Sequence, residues 1–126
     1  MRLKYLLILN AVICFVYGIT FLLSPTTVLS LHGVAVDPNT RLMGQFYGVE
    51  LVGIGLLTWL ARDAEDSKAR QAMILALLIS DVIGVIIASL GTLSGVMNAL
   101  GWSGAAVYAV LAVGYGYFQF AKPDAS

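Results

Sequence analysis

Four apolar runs, each close to the length that crosses a bilayer, leave this chain little freedom to fold as anything but a bundle of membrane helices. They cover about 3–23, 41–62, 71–94 and 103–121, and a spanning helix needs about 20 predominantly apolar residues. Of the 126 residues, 60% are hydrophobic and only 11% charged. Soluble domains are about 25% charged. With a mean hydropathy of +0.90, the chain carries more apolar surface than a water-soluble core of this size can absorb. The expected fold is all-α: one integral-membrane four-helix bundle occupying residues 1–126.

The connectors fit that reading. Pro25 ends the first run, and residues 25–32 (PTTVLSLH) form a candidate short interfacial helix that Gly33 closes. Asp37, Pro38, Asn39 and Thr40 supply start signals for the second span. Residues 61–71 (ARDAEDSKARQ) hold the only strongly charged patch, expected to be a solvated turn in which Asp66 or Ser67 caps the third span. Trp102 is placed as an interfacial anchor, and Tyr115, Tyr117 and Phe120 as an aromatic fringe at the end of the fourth span. Arg2 and Lys4 ahead of an apolar run also suit a secretory leader; the run is longer than a usual leader core, however, and no clear small-residue cleavage site follows.

Charge orients the bundle. Arg2, Lys4, Arg62, Lys68, Arg70 and Lys122 fall on the side of the termini and the middle connector, and only Arg41 on the other. The positive-inside rule therefore places both termini in the cytoplasm, with the bilayer itself as the first partner. The seven basic and seven acidic residues cancel, and no basic patch beyond these flanks suggests nucleic acid.

Two carboxyls carry most of the functional information. Glu50 lies 12 residues before Arg62, and Asp81 lies 11 after Arg70. At about 1.5 Å per residue both sit roughly 17 to 18 Å deep, near the midplane. Consecutive spans joined by a short turn are normally neighbours, so the pair is expected to approach or to face one interior space. An acid at a helix centre costs about 2.5 to 3.5 kcal/mol to insert, which makes it a functional-site candidate by default. No basic residue lies at that depth, and two close carboxyls would share a proton, which is the chemistry of a relay or a cation site. The structural alternative is a static network. Tyr17 and Tyr108 lie at similar depth, Tyr47 is one turn from Glu50, and Asn10, Cys14 and Tyr17 form a polar stripe on the first span.

Small residues mark the packing faces. Gly44, Gly48, Leu51, Gly55 and Thr58 recur on one face of the second span, Gly84, Ala88 and Gly91 on the third, and Ala105, Ala109, Ala112 and Gly116 on the fourth. Such stripes serve contacts within the bundle or a homodimer, and a single four-span chain needs the former in any case.

Soluble-type catalytic templates are missing from the sequence. It contains no Gly-rich phosphate loop, no His and Cys cluster and no HExxH, and His32 is a lone histidine in a connector. Neither a metal site nor a cofactor is suggested. The stretch RLMGQFYGVELVGIGLLTWLARDAED, with the preceding HGVAVDP loop, resembles small bacterial four-span membrane proteins of unknown function, and more distantly is similar to the broad DoxX-like group. The resemblance implies a bacterial inner-membrane bundle and transfers no catalytic residue; the redox association of the DoxX name finds no matching residues. Three classes follow: a non-catalytic module that binds a lipid-like or apolar small molecule or a partner membrane subunit; a proton- or cation-coupled transporter using Glu50 and Asp81; and a membrane-embedded acid catalyst.

Overall fold

The computed structural model describes residues 2–121, so Lys122 and the polar tail lie outside the described residues. Among these the chain is all-helical: α1 (Leu3–Leu23), α2 (Pro25–Leu31), α3 (Pro38–Leu60), α4 (Lys68–Leu93), α5 (Gly101–Gly116) and a terminal π turn (Tyr117–Ala121). Three helical segments are long and apolar enough to cross a membrane: α1, α4, and α5 with its π turn. α3 has the length, 23 residues, but Gln45, Glu50 and its glycines make it less apolar.

Local chemistry sets the helix starts. Asp37 caps α3, its carboxylate accepting the Thr40 backbone N–H at 2.7 Å, with Pro38 in the first turn where a missing N–H costs nothing. That N–H holds the Asp37 carboxyl below its usual range. Ser67, not Asp66, caps α4 by accepting the Arg70 N–H at 3.1 Å. The short helix α2 ends at Gly33, which takes a left-handed φ of 74°.

Pairing follows the small residues. Five residues of α3 are buried, Gly44, Gly48, Leu51, Gly55 and Thr58, and this stripe lies along α1. A methyl added at Gly48 would stand 2.8 Å from the Gly18 carbonyl oxygen and 3.0 Å from the Leu22 nitrogen. Gly44 meets Phe21 and Pro25, Gly55 meets Cys14 and Phe15, Thr58 meets Asn10, and Lys4 meets Asp63 at 3.1 Å. The ladder runs antiparallel from end to end. On the other side, α4 packs on α5 with the Tyr108 ring over Gly84 and with Gly101 against Thr92 and Met97.

α3 and α4, expected to be neighbours, are not. α1 pairs with α3 and α4 with α5, and the two pairs join mainly at one end, where Leu6 sits against Gly114. There Leu3, Leu6 and Leu7 of α1, Ile74 and Leu77 of α4, and Leu111, Tyr115 and Phe118 form a continuous buried cluster. Tyr115 therefore belongs to this floor, 0% exposed, and not to an aromatic fringe. Arg70 also departs from the solvated-turn reading: it is 6% exposed, donating from Nη1 to the Ala64 carbonyl at 3.0 Å and pairing with Asp66 at 3.5 Å. At the opposite end Asn98 clamps the α2 corner, its backbone N–H donating to the His32 carbonyl at 2.8 Å and its side-chain amide to that of Leu31 at 3.0 Å.

Large apolar side chains face outward along the helices, among them Ile83, Ile86, Val110 and Val113, as lipid contact requires. Trp102 is exposed at one end of the bundle, and near the other the Arg62 guanidinium stacks 4.0 Å over the Trp59 ring.

Candidate functional site

Because the two helix pairs close only at the floor and at the α2 corner, they enclose a cavity of about 440 Å³ between them. That lies within the roughly 300 to 1,000 Å³ of small-molecule sites. Leu77 and Leu111 lie at its floor, and Val28 and Leu29 of α2 reach its far end. Its wall is mostly apolar.

Asn10, Tyr17, Tyr47, Asp81 and Tyr108, all singled out in the sequence, line this space together with Cys14. Glu50 does not. It is exposed, on a face of α3 different from the glycine stripe that holds α1, and does not line the space that Asp81 lines. Depth along a helix is readable by counting residues, but the direction of the side chain depends on which neighbour the small-residue stripe selects.

Asp81 sits at the middle of α4 with 7% of its surface exposed, and its Oδ2 is buried with no hydrogen-bond partner. The insertion cost of such a group is retained in a folded protein only where something offsets it. No lysine or arginine lines the cavity among the described residues. Asn10, 2% exposed, donates its amide to Thr58 Oγ1 at 3.4 Å and contacts Cys14 Sγ at 3.6 Å. The Tyr47 and Tyr108 hydroxyls bond to each other at 2.8 Å, tying α3 to α5. Phe21 meets the Tyr47 ring edge-on, centroids 5.0 Å apart.

The cavity has a side. Tyr47 of α3 and Ser80 and Ile87 of α4 line it and are nevertheless exposed, and these residues flank the gap where α3 and α4 fail to pack. The opening is lateral, at the level of the helix bodies. A second, smaller recess lies at the α1–α5 seam, between Thr20 and Leu31 on one side and Leu100 and Ser103 on the other.

His32 and Gly104 are among the cavity residues not anticipated as site residues. His32 lines the outer end with Nδ1 2.9 Å from the Val28 carbonyl, and Gly104 contributes an open surface with no neighbour within 4 Å of an added methyl. Nothing local in the sequence flags either one, because both reach the cavity only through the pairing of helices. No group of three or more His, Cys, Asp or Glu able to hold a metal is present among the described residues. Compared with protein-family models, with curated proteins and with solved structures, the chain matches none.

Proposed function

We propose that this protein is a non-catalytic membrane module that binds a lipid-like or apolar small molecule in the cavity between its two helix pairs. The observation that carries the proposal is the laterally open, largely apolar cavity of about 440 Å³ with one unpartnered carboxyl, Asp81, in its wall. An apolar ligand reaches such a site from the hydrocarbon phase through the α3–α4 gap without crossing water.

The same reading makes the protein a four-span bundle of a bacterial inner membrane with cytoplasmic termini. Support for α3 as the fourth span comes from its antiparallel ladder along the whole of α1. A helix of 23 residues is about 34 Å long, enough to cross the hydrocarbon core beside it. Arg2, Lys4, Arg62, Lys68 and Arg70 lie at the end that carries the N-terminus, and Arg41 lies at the other, which supports the orientation. A transporter coupled through Glu50 and Asp81 together is the weaker reading, because Glu50 stands outside the cavity that holds Asp81. The distant DoxX-like relationship rests on the second-span motif alone.

The test is saturable binding of a neutral solvatochromic dye to the protein in lipid nanodiscs. Gly104→Phe fills the cavity from a position free of steric neighbours, and Gly53→Phe adds the same ring at an exposed glycine outside it. Binding lost in the first and kept in the second supports the reading. Absence of saturable binding, or equal binding in both variants, overturns it.

A further inference from the structure

Resting on the reading of this cavity as a binding site, the donor and acceptor balance of its wall specifies the ligand further. Each polar group that lines it can be followed to its partner. The Tyr47 and Tyr108 hydroxyls bond to each other, one donating and the other keeping its own proton. His32 Nδ1 faces the Val28 carbonyl, which only accepts, so Nδ1 carries a proton that is spent on the backbone of α2. The Asn10 amide nitrogen is directed at Thr58 and Cys14, so this side chain presents its carbonyl oxygen. Asp81 Oδ2 has no partner and is buried.

What remains is an ionisable carboxyl without a partner and no basic side chain in the wall among the described residues. The hydroxyls of Tyr17, Ser80 and the accepting member of the Tyr47–Tyr108 pair, and weakly the Cys14 thiol, still offer protons, but none is bonded to Asp81 Oδ2 and none carries a positive charge. A ligand whose polar end is acceptor-only, such as a fatty acid anion, a phosphate ester or a quinone, brings neither a proton nor a positive charge to that carboxyl. A ligand ending in an ammonium group supplies several N–H donors and the charge that a buried carboxylate needs. Phe21, Tyr17 and Tyr47 add aromatic surface suited to a cation. We propose that the cavity takes a lipophilic amine, an apolar tail lying among the four long helices with its ammonium group bound to the Asp81 carboxylate.

The test compares tritiated decylamine with tritiated decanol on the whole protein in nanodiscs, using empty nanodiscs as the baseline for partition into lipid. Decylamine is expected to bind saturably and at least about tenfold tighter than decanol, as a charge-assisted hydrogen bond implies. Asp81→Asn is expected to bring the ratio of decylamine to decanol affinity down to about one. Equal affinity for amine and alcohol in the native protein overturns the amine assignment and leaves the apolar-binding reading standing. Decylamine binding unaltered by Asp81→Asn overturns the assignment of the ammonium to Asp81. Failure of both probes to bind above empty nanodiscs overturns both readings together. Should Asp81→Asn fail to insert, the ratio of amine to alcohol in the native protein still decides.

Discussion

Gly48→Ala and Gly53→Ala make the same chemical change on the same helix, and the structure assigns them opposite outcomes. At Gly48 the new methyl would sit 2.8 Å from the Gly18 carbonyl oxygen and 3.0 Å from the Leu22 nitrogen. Both are backbone atoms, so no side chain can rotate away and α1 must withdraw from α3. Moving the helices apart loosens contacts along the whole ladder, at the cost of overpacking, about 1 to 3 kcal/mol. At Gly53 nothing lies within 4 Å, so alanine adds only its helix preference, a gain of about 0.5 to 1 kcal/mol. The two variants should therefore differ by about 1.5 to 4 kcal/mol, roughly one to three powers of ten in the folded-to-unfolded ratio. Reversible unfolding by dodecyl sulfate in mixed micelles, followed by helical circular dichroism, measures this directly. Equal stabilities for the two variants, or a Gly48→Ala protein as stable as the native one, would refute the assignment of the glycine stripe to the α1–α3 contact.

Three further outcomes follow from the same geometry. Gly84→Ala places a methyl 2.5 Å from the Tyr108 ring and should displace that ring, breaking the Tyr47–Tyr108 bond; the tyrosine ring resonances of a labelled sample should shift together, and a shift of Tyr108 alone would argue against the bridge. Glu50→Gln should leave dye and amine binding within about twofold of native, since Glu50 lies outside the cavity and the near-isosteric change touches none of its lining residues; a loss as large as that of Asp81→Asn would place both acids in one site after all. Asp37 has its folded-state titration lowered by the Thr40 N–H, so its contribution is complete above the ordinary carboxylate range and fades as pH falls through the lowered value. Asp37→Asn should flatten the acid limb of stability against pH below about pH 4, and an unchanged limb would show that the cap is not titrating there.

The parts of this fold legible in the sequence are those set by local chemistry. α1 begins and ends where the apolar run does, and α3 starts at Asp37–Pro38 because capping and proline geometry act within a single turn. The buried face of α3 was readable from spacing alone, since Gly44, Gly48, Leu51, Gly55 and Thr58 recur at helical period. Partner choice was not readable. The segment 61–67 between α3 and α4 contains seven residues, enough to reach about 23 Å when extended, so it does not force the flanking helices together. The stripe on α3 fits the Gly18 region of α1, and Gly84 on α4 receives Tyr108 of α5; these long-range fits decide the pairing. Glu50 illustrates the consequence. Its depth was given by counting, but its exposure follows from which face α1 covers. Tyr115 shows the same effect at the floor, where α1, α4 and α5 enclose it, and Arg70 is buried against the connector before α4.

The central claim, that an apolar molecule occupies the space between the helix pairs beside Asp81, is tested most directly by anomalous scattering from crystals soaked with a bromoalkane. The account predicts a bromine peak inside the cavity, among residues such as Leu51, Ala88 and Val107, and its disappearance in the Gly104→Phe variant. Bromine confined to outward-facing residues such as Leu57 and Ile83, with none between the pairs, would contradict it.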